Sequence, residues 1–470
     1  MTDVVDKLWG FCNTLRHDGI GYGDYIEQIT YLLFLKLADE KEAELPEGCS
    51  WKDLKTKSGM ELDDHYSLVL RLLSKERGML GGIFAGAQSR FRNPVNLKNL
   101  ITMIDEYQWS AVDTDLKAAA YEGLLQKYAA EQKGAGQYFT PREAIRAVVR
   151  CMKPDFRTTR DFKIHDPAVG TAGFLIGAFE WTMSQTHNGA DLSQDDAKRL
   201  EKSTFSGKEI VQETRRLSLM NLYLHGIESN IMYGDSIAEQ PGGERYDVIL
   251  TNPPFGTKGA GEAPSRDDFN VPTSNKQLNF VQHVMTILKP GGRASMVLPD
   301  NVLFEEHAGR KVRELLLKDC DLHTILRLPI GTFTPYSTGV KANIVFFRKG
   351  MPTKEVWFYD LRTNIEKINK GHTLTKNYFE DFEKCYGEDP NGRPKGGRKE
   401  TERFKRYTMR EIEDRIYNLD IFWLKDDSLE NPDDLPDPIV LVSEATTHLE
   451  SAMEALSELG RKLNNGENGK

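Results

Sequence analysis

The hydrophobic rhythm of the chain changes near residue 140. Before that point Leu8, Phe11, Cys12 and Leu15, and then Ile26, Ile29, Leu32, Leu33 and Leu37, fall at helical spacing. Gly19, Gly21 and Gly23 break the chain between the two runs, and further breaks stand at 46–50 and 78–86. The pattern predicts a helical N-terminal domain over residues 1–130 whose composition names no chemistry. From 160 to 360, short apolar runs near 162–164, 204–205, 231–233, 246–250, 294–298, 325–328, 343–347 and 356–359 alternate with helical patterns. Strands alternating with helices predict an α/β domain with a doubly wound sheet, which we place at 131–365 together with the helix of 144–151. Residues 256–275, rich in glycine, proline and charge, read as a mobile flap. The remainder, 366–470, is expected to be a C-terminal extension with a basic loop at 390–399, a stiff acidic connector at 431–438, and an amphipathic, partner-binding helix at 439–463.

Composition narrows the class. At 470 residues the chain is too long for one ordinary core, and with 39% hydrophobic and 28% charged residues it reads as globular. No apolar run reaches the roughly 20 residues of a membrane span, and the first residues do not resemble a signal peptide, so a cytoplasmic protein without membrane contact is expected. Its five cysteines, Cys12, Cys49, Cys151, Cys320 and Cys385, are scattered and show neither a disulfide frame nor metal-ligand spacing. A formal charge of −9 argues against a surface that grips nucleic acid throughout. A local basic site, or a partner that does the gripping, remains open; the basic 390–399 block is the best candidate for phosphate contacts.

Candidate chemistry sits where apolar runs end. The run Tyr246, Val248, Ile249, Leu250 stops at Thr251-Asn252-Pro253-Pro254-Phe255, and prolines cannot extend a sheet ladder, so the last residues reach an exposed rim. Standing alone, this is better read as an Asn-Pro turn. Gln137-Tyr138-Phe139-Thr140-Pro141-Arg142 pairs two aromatic residues with an expected helix start, Thr140 as N-cap and Pro141 at the first helical position. At Asp166-Pro167-Ala168-Val169-Gly170-Thr171-Ala172-Gly173 a strand ends in an acid and a small-residue loop that opens a helix. The loop lacks both the dinucleotide fingerprint and a Gly-Lys-Ser/Thr phosphate loop, absences that a nucleoside without polyphosphate would satisfy. Glu209 follows the second apolar run, where a carboxylate can hold a ribose diol or simply sit in a first helical turn. Asp235 follows the third and can accept from an exocyclic amine. Four acidic or amide residues thus fall at successive strand ends of one sheet, where open α/β folds bind ligands.

Together, 137–141, 166–174, Glu209, Asp235 and Asn252 to Phe255 resemble the S-adenosylmethionine-dependent amino methyltransferases that act on adenine N6 in DNA. More closely, 136–142 and 166–175 resemble the modification (M) subunit of type I restriction-modification systems, and the likeness continues into Leu419-Asp420-Ile421-Phe422-Trp423-Leu424. Many members carry Cys at the place of Val169 and Gly at that of Ala172. The resemblance implies a Rossmann-like methyltransferase domain with S-adenosylmethionine as cofactor and no metal. It assigns Asp166, Gly170, Thr171, Ala172 and Gly173 to the methionine end and backbone of the cofactor, Glu209 to its ribose and Asp235 to its adenine. Tyr138, Phe139 and Thr140 would close over the pocket, with Gln137, Pro141 and Arg142 completing that cofactor-binding segment. Asn252 and the Pro253 carbonyl would accept from the target amine, and Phe255, beyond Pro254, would stack on a flipped-out adenine. Implied partners are double-stranded DNA, a specificity subunit, a motor-nuclease restriction subunit and a second copy of the chain. Rival readings are a methyltransferase acting on protein glutamine or an RNA base, and a cofactor-binding scaffold subunit without transfer chemistry.

Overall fold

The computed structural model describes residues 10–11, 19–40, 42–109, 140–255, 263–334, 340–369 and 371–425. The N-terminal part is helical, as its rhythm predicts. Helix α1 (Tyr22–Glu40) is apolar on nearly every side, and Ile26, Ile29, Leu32, Leu33, Phe34 and Leu37 are all buried, so it forms the centre of this region. Around it stand α2 (Trp51–Thr56), α3 (Gly59–Leu73), α4 (Gly78–Phe84) and α5 (Pro94–Asp105). Ser50 and Asp53 close a capping box on α2, and the Asn93 side chain caps α5 at Val95 N with Pro94 at its first position. Asp105 then accepts from Lys36 Nζ (3.0 Å) and Trp51 Nε1 (2.8 Å), tying α5 to α1 and α2.

The elements that follow are α6 (Arg142–Met152), β1 (Ile164–Asp166), α7 (Gly173–Ser184), α8 (Gln194–Lys202), β2 (Phe205–Glu209), α9 (Gln212–Leu224), β3 (Asn230–Tyr233), β4 (Tyr246–Thr251), α10 (Lys276–Ile287), β5 (Leu288–Pro299), α11 (Asn301–Phe304), α12 (Ala308–Asp319), β6 (Cys320–Arg327), β7 (Ala342–Lys349), β8 (Glu355–Asp360), α13 (Asn377–Tyr386), β9 (Phe404–Thr408) and α14 (Met409–Asp414). The strands form one sheet in the order β3-β2-β1-β4-β5-β7-β6-β8-β9. From β3 to β5 neighbours are parallel; β7 then enters antiparallel between β5 and β6. Val248, Ile249 and Leu250 are all buried, as befits a strand covered on both faces. Strand order reverses at β1, which pairs with β2 on one side and β4 on the other, so a crevice opens at the carboxyl ends of β1 and β4. Arg216 of α9 joins the helical region to the sheet layers. It donates to Ile83 O (2.8 Å) and Ala85 O (2.7 Å), pairs with Glu27 (3.1 Å) and lies over the Tyr31 ring.

Two expectations change. The stretch read as a mobile flap is held over its second half: Phe269 and Val271 are buried, Gln282 of α10 exchanges two hydrogen bonds of 2.9 Å with the Val271 backbone, and Asn279 donates to Thr273 O. Residues 256–262 lie outside the described residues. The basic block is also largely spent inside the fold. Arg393 pairs with Asp321 (2.6 Å), Arg398 donates to Thr324 Oγ1 (2.7 Å), and Arg403 donates to the carbonyls of Asp360 and Thr363. These guanidiniums satisfy acceptors on and beside β6 and β8, while Arg393 stays exposed together with Lys395 and Lys399. Beyond the block, β9 adds an antiparallel edge to β8, with Phe404 stacked on Trp357. The helix expected at 439–463 lies outside the described residues. No described helix is long and apolar enough to cross a membrane.

Candidate active site

Adjacent strands β1 and β4 deliver Asp166 and Thr251 to the crevice as their last residues. Thr251 Oγ1 donates to Asp166 Oδ1 (2.6 Å), which also accepts from Ala168 N (3.0 Å). Asp166 is 2% exposed, and burial raises its carboxyl to about 7; the two donors oppose the rise and the negative charge of Glu209 adds to it. A buried carboxyl that ionises near neutrality is ready for a cationic partner.

The loop after Asp166 turns back through left-handed backbone at Gly170 (φ 53°) and Ala172 (φ 68°) before α7 begins at Gly173. Its shape is fixed from the neighbouring strand. Glu209 accepts Gly170 N on Oε2 and Val211 N on Oε1, each at 3.0 Å, and burial raises its carboxyl against the pull of these amides. Asn221 of α9 donates from Nδ2 to Thr171 O (2.9 Å). One strand further out, Asp235 Oδ1 accepts from Ile237 N (2.9 Å) and Ala238 N (3.1 Å) and so shapes its own turn. Both acids therefore brace backbone with the same carboxylates expected to meet a ligand.

Asn252 departs from the sheet behind Thr251. Its Nδ2 donates to Thr140 Oγ1 (2.8 Å), while its Oδ1 is buried with no hydrogen-bond partner among the described residues. Thr140 is thus not the helix cap: α6 starts at Arg142 with Pro141 in the N-cap position and no side-chain cap. The proline fits there because extended backbone precedes the helix, and the threonine hydroxyl is released to hold the asparagine. Gln277 Nε2 donates to Pro254 O (3.3 Å), and Phe255 meets Phe333 edge to face with centroids 5.5 Å apart.

A cavity of about 310 Å³ gathers Thr140, Pro141, Arg142, Asp166, Gly170, Thr171, Gly173 and Asn252. Glu209 and Asp235 stand beyond it at the ends of β2 and β3, Ala172 is buried beneath the loop, and Gln137, Tyr138 and Phe139 lie outside the described residues. Sequence reading missed the opposite wall, made by Thr332 and Thr334 after β6 and by Ile368, Asn369, Thr373 and Leu374. These positions carry no periodic signal. It also missed Ile210, an apolar side chain left 55% exposed beside Glu209, the kind of surface a purine face covers. A buried carboxyl for an ammonium, a carboxylate and an apolar side chain at the end of β2 for a nucleoside, and an unmet amide oxygen across the cavity fit S-adenosylmethionine with an amine acceptor.

Comparison with known proteins places the chain in a family. Residues 112–427 match the model of the N-6 DNA Methylase family, and 4–45 match the HsdM N-terminal domain. The chain is 40% identical to the type I restriction enzyme StySPI methylase subunit of Salmonella potsdam, over 99% of this chain and 96% of that one. A crystal structure of the type I restriction enzyme EcoKI M protein matches with 36% identity and a TM-score of 0.58, covering 98% and 96% of the two chains. A structure from work on assembly and conformational transition of a type I restriction-modification system matches with 28% identity and a TM-score of 0.74, covering 100% and 99%. The chain belongs to the N-6 DNA Methylase family, among the type I restriction-modification methylase (HsdM) subunits, which are S-adenosylmethionine-dependent adenine-N6 DNA methyltransferases.

Proposed function

We propose that Asn252 is the acceptor that prepares the adenine amine for methyl transfer, on the strength of one observation above others: its Oδ1 is buried without a partner among the described residues while Thr140 fixes its Nδ2. Thr140 takes the nitrogen end of the amide, which leaves the oxygen as the end able to accept from an amine. With the Pro254 carbonyl engaged by Gln277, the Pro253 carbonyl serves as second acceptor. Two acceptors draw the N6 lone pair out of conjugation with the ring and toward the methyl group, so rate comes from electrostatic positioning. The cofactor supplies the electrophilic methyl group. Asp166 would hold its ammonium, Glu209 its ribose hydroxyls, and Asp235, through the carboxylate oxygen not used in its own turn, its adenine. An adenine in a duplex cannot reach Asn252 without being flipped, at a cost of a few kcal/mol. Stacking on Phe255, itself braced by Phe333, returns roughly 1–3 kcal/mol.

The chain would work on double-stranded DNA in the cytoplasm, in an assembly with a specificity subunit, a second copy of itself and a motor-nuclease subunit. Its net charge of −9 and the inward turn of its basic block support leaving sequence recognition to a partner. Methylation of a defined duplex by the chain alone and with the specificity subunit tests this. Transfer confined to the mixture is expected; equal site-specific transfer by the chain alone would contradict it.

A further inference from the structure

Arg266 lies in the arm that returns from the acceptor loop to α10, and its side chain has no solvent exposure. A buried guanidinium is costly unless its donors are met. Here Nε and Nη2 form a fork on Asp268 (2.9 and 2.6 Å), and the ring of Phe269 lies 4.0 Å from the guanidinium carbon. The remaining nitrogen reaches out of the arm: Nη1 donates to Ser236 O (2.6 Å) and meets His283 Nδ1 at 3.0 Å. Burial and the arginine charge lower the His283 imidazole to about 3, so it stays neutral and able to accept at physiological pH. Ser236 passes the contact on, its Oγ donating to Pro167 O (2.6 Å), one residue beyond Asp166. Ser236 also follows Asp235, whose Oδ1 shapes the same turn.

We propose that Arg266 is a positioning residue for the cofactor: through Ser236 it sets both the turn that carries Asp235 and the loop that leaves Asp166. The arm descending from Asn252 to Phe255 thereby helps shape the site across the sheet from it. Binding at the cofactor side and order in the arm are then linked in both directions. The proposal rests on the placement of the cofactor's adenine beside Asp235.

The test uses the full chain and S-adenosylhomocysteine, with Kd measured by calorimetry and hydrogen exchange followed over 263–275. Arg266→Lys loses the fork and Ser236→Ala loses the link to Pro167; each is expected to raise Kd about tenfold, the equivalent of about 1.4 kcal/mol. Saturating ligand slows exchange in the arm of the wild type and does so less in both variants. Asp268→Asn, which weakens the fork and leaves Arg266 in place, decides the matter if Arg266→Lys does not fold; Ser236→Ala keeps the carbonyl that Arg266 reaches and reads only the onward link to Pro167. Wild-type Kd in the variants, whatever their melting temperature, overturns the proposal. Asp235→Ala separates it from the placement it rests on: wild-type binding by that variant overturns the placement, whereas weakened binding there with wild-type binding by Arg266→Lys, or by Asp268→Asn in its place, overturns only the role of Arg266.

Discussion

A buried amide oxygen without a donor costs about 1–3 kcal/mol, and Asn252 keeps one beside the cavity because Thr140 takes the other end of its amide. Thr140→Val removes that acceptor and lets the amide turn; kcat should fall about tenfold with the Kd for S-adenosylhomocysteine unchanged, which steady-state kinetics and calorimetry together check. Asp166 makes a second claim at this scale. Burial raises its carboxyl to about 7 in the fold, so the stability it contributes is complete at acid pH, below its unfolded value, and is lost as pH rises through about 7. Ligand affinity runs the other way, because an ammonium is held by the ionised form: the Kd for S-adenosylhomocysteine should fall as pH rises through 7 and then level off, and Asp166→Asn should flatten that profile. Both residues were legible in the sequence, Asn252 by its two prolines and Asp166 by the loop it opens. The Thr140 contact was not. The N-cap preference of threonine gave a sufficient local reason for that residue, and its real partner lies 112 positions away.

The strands of the parallel half were readable because strands covered on both faces are short unbroken apolar runs, as at Val248-Ile249-Leu250. Strand β9 was hidden for the opposite reason. Its sequence Phe404-Lys405-Arg406-Tyr407-Thr408 alternates like a solvated loop, and basic residues are what protect an edge strand from further pairing. The helix start at α7 offers a test. Ala172 adopts φ 68° and ψ 21°, left-handed backbone that favours glycine. Ala172→Gly should relieve strain and raise the unfolding free energy by about 1 kcal/mol in urea titrations, with the loop still able to bind ligand.

Across the whole molecule, helical region and sheet are joined through α9, whose Arg216 meets two carbonyls, Glu27 and Tyr31. Arg216→Met leaves Glu27 without this partner and should lower stability by about 3–5 kcal/mol, read as a shift in the urea midpoint. Composition could not show this junction, because Arg215 and Arg216 side by side in a mixed helix look like a solvated pair. Nor could it show that Thr332, Thr334, Ile368, Asn369, Thr373 and Leu374 wall the cavity, since loops carry no period. In the proposed reaction this fold brings an adenine N6 to Asn252. Transfer of labelled methyl groups from S-adenosylmethionine to duplex DNA by the complex with its specificity subunit, followed by nucleoside analysis, tests it most directly. The account predicts label in N6-methyladenine, reduced roughly 10²–10³-fold by Asn252→Ala while S-adenosylhomocysteine still binds. Label on another base or on protein, or wild-type transfer by Asn252→Ala, would contradict it.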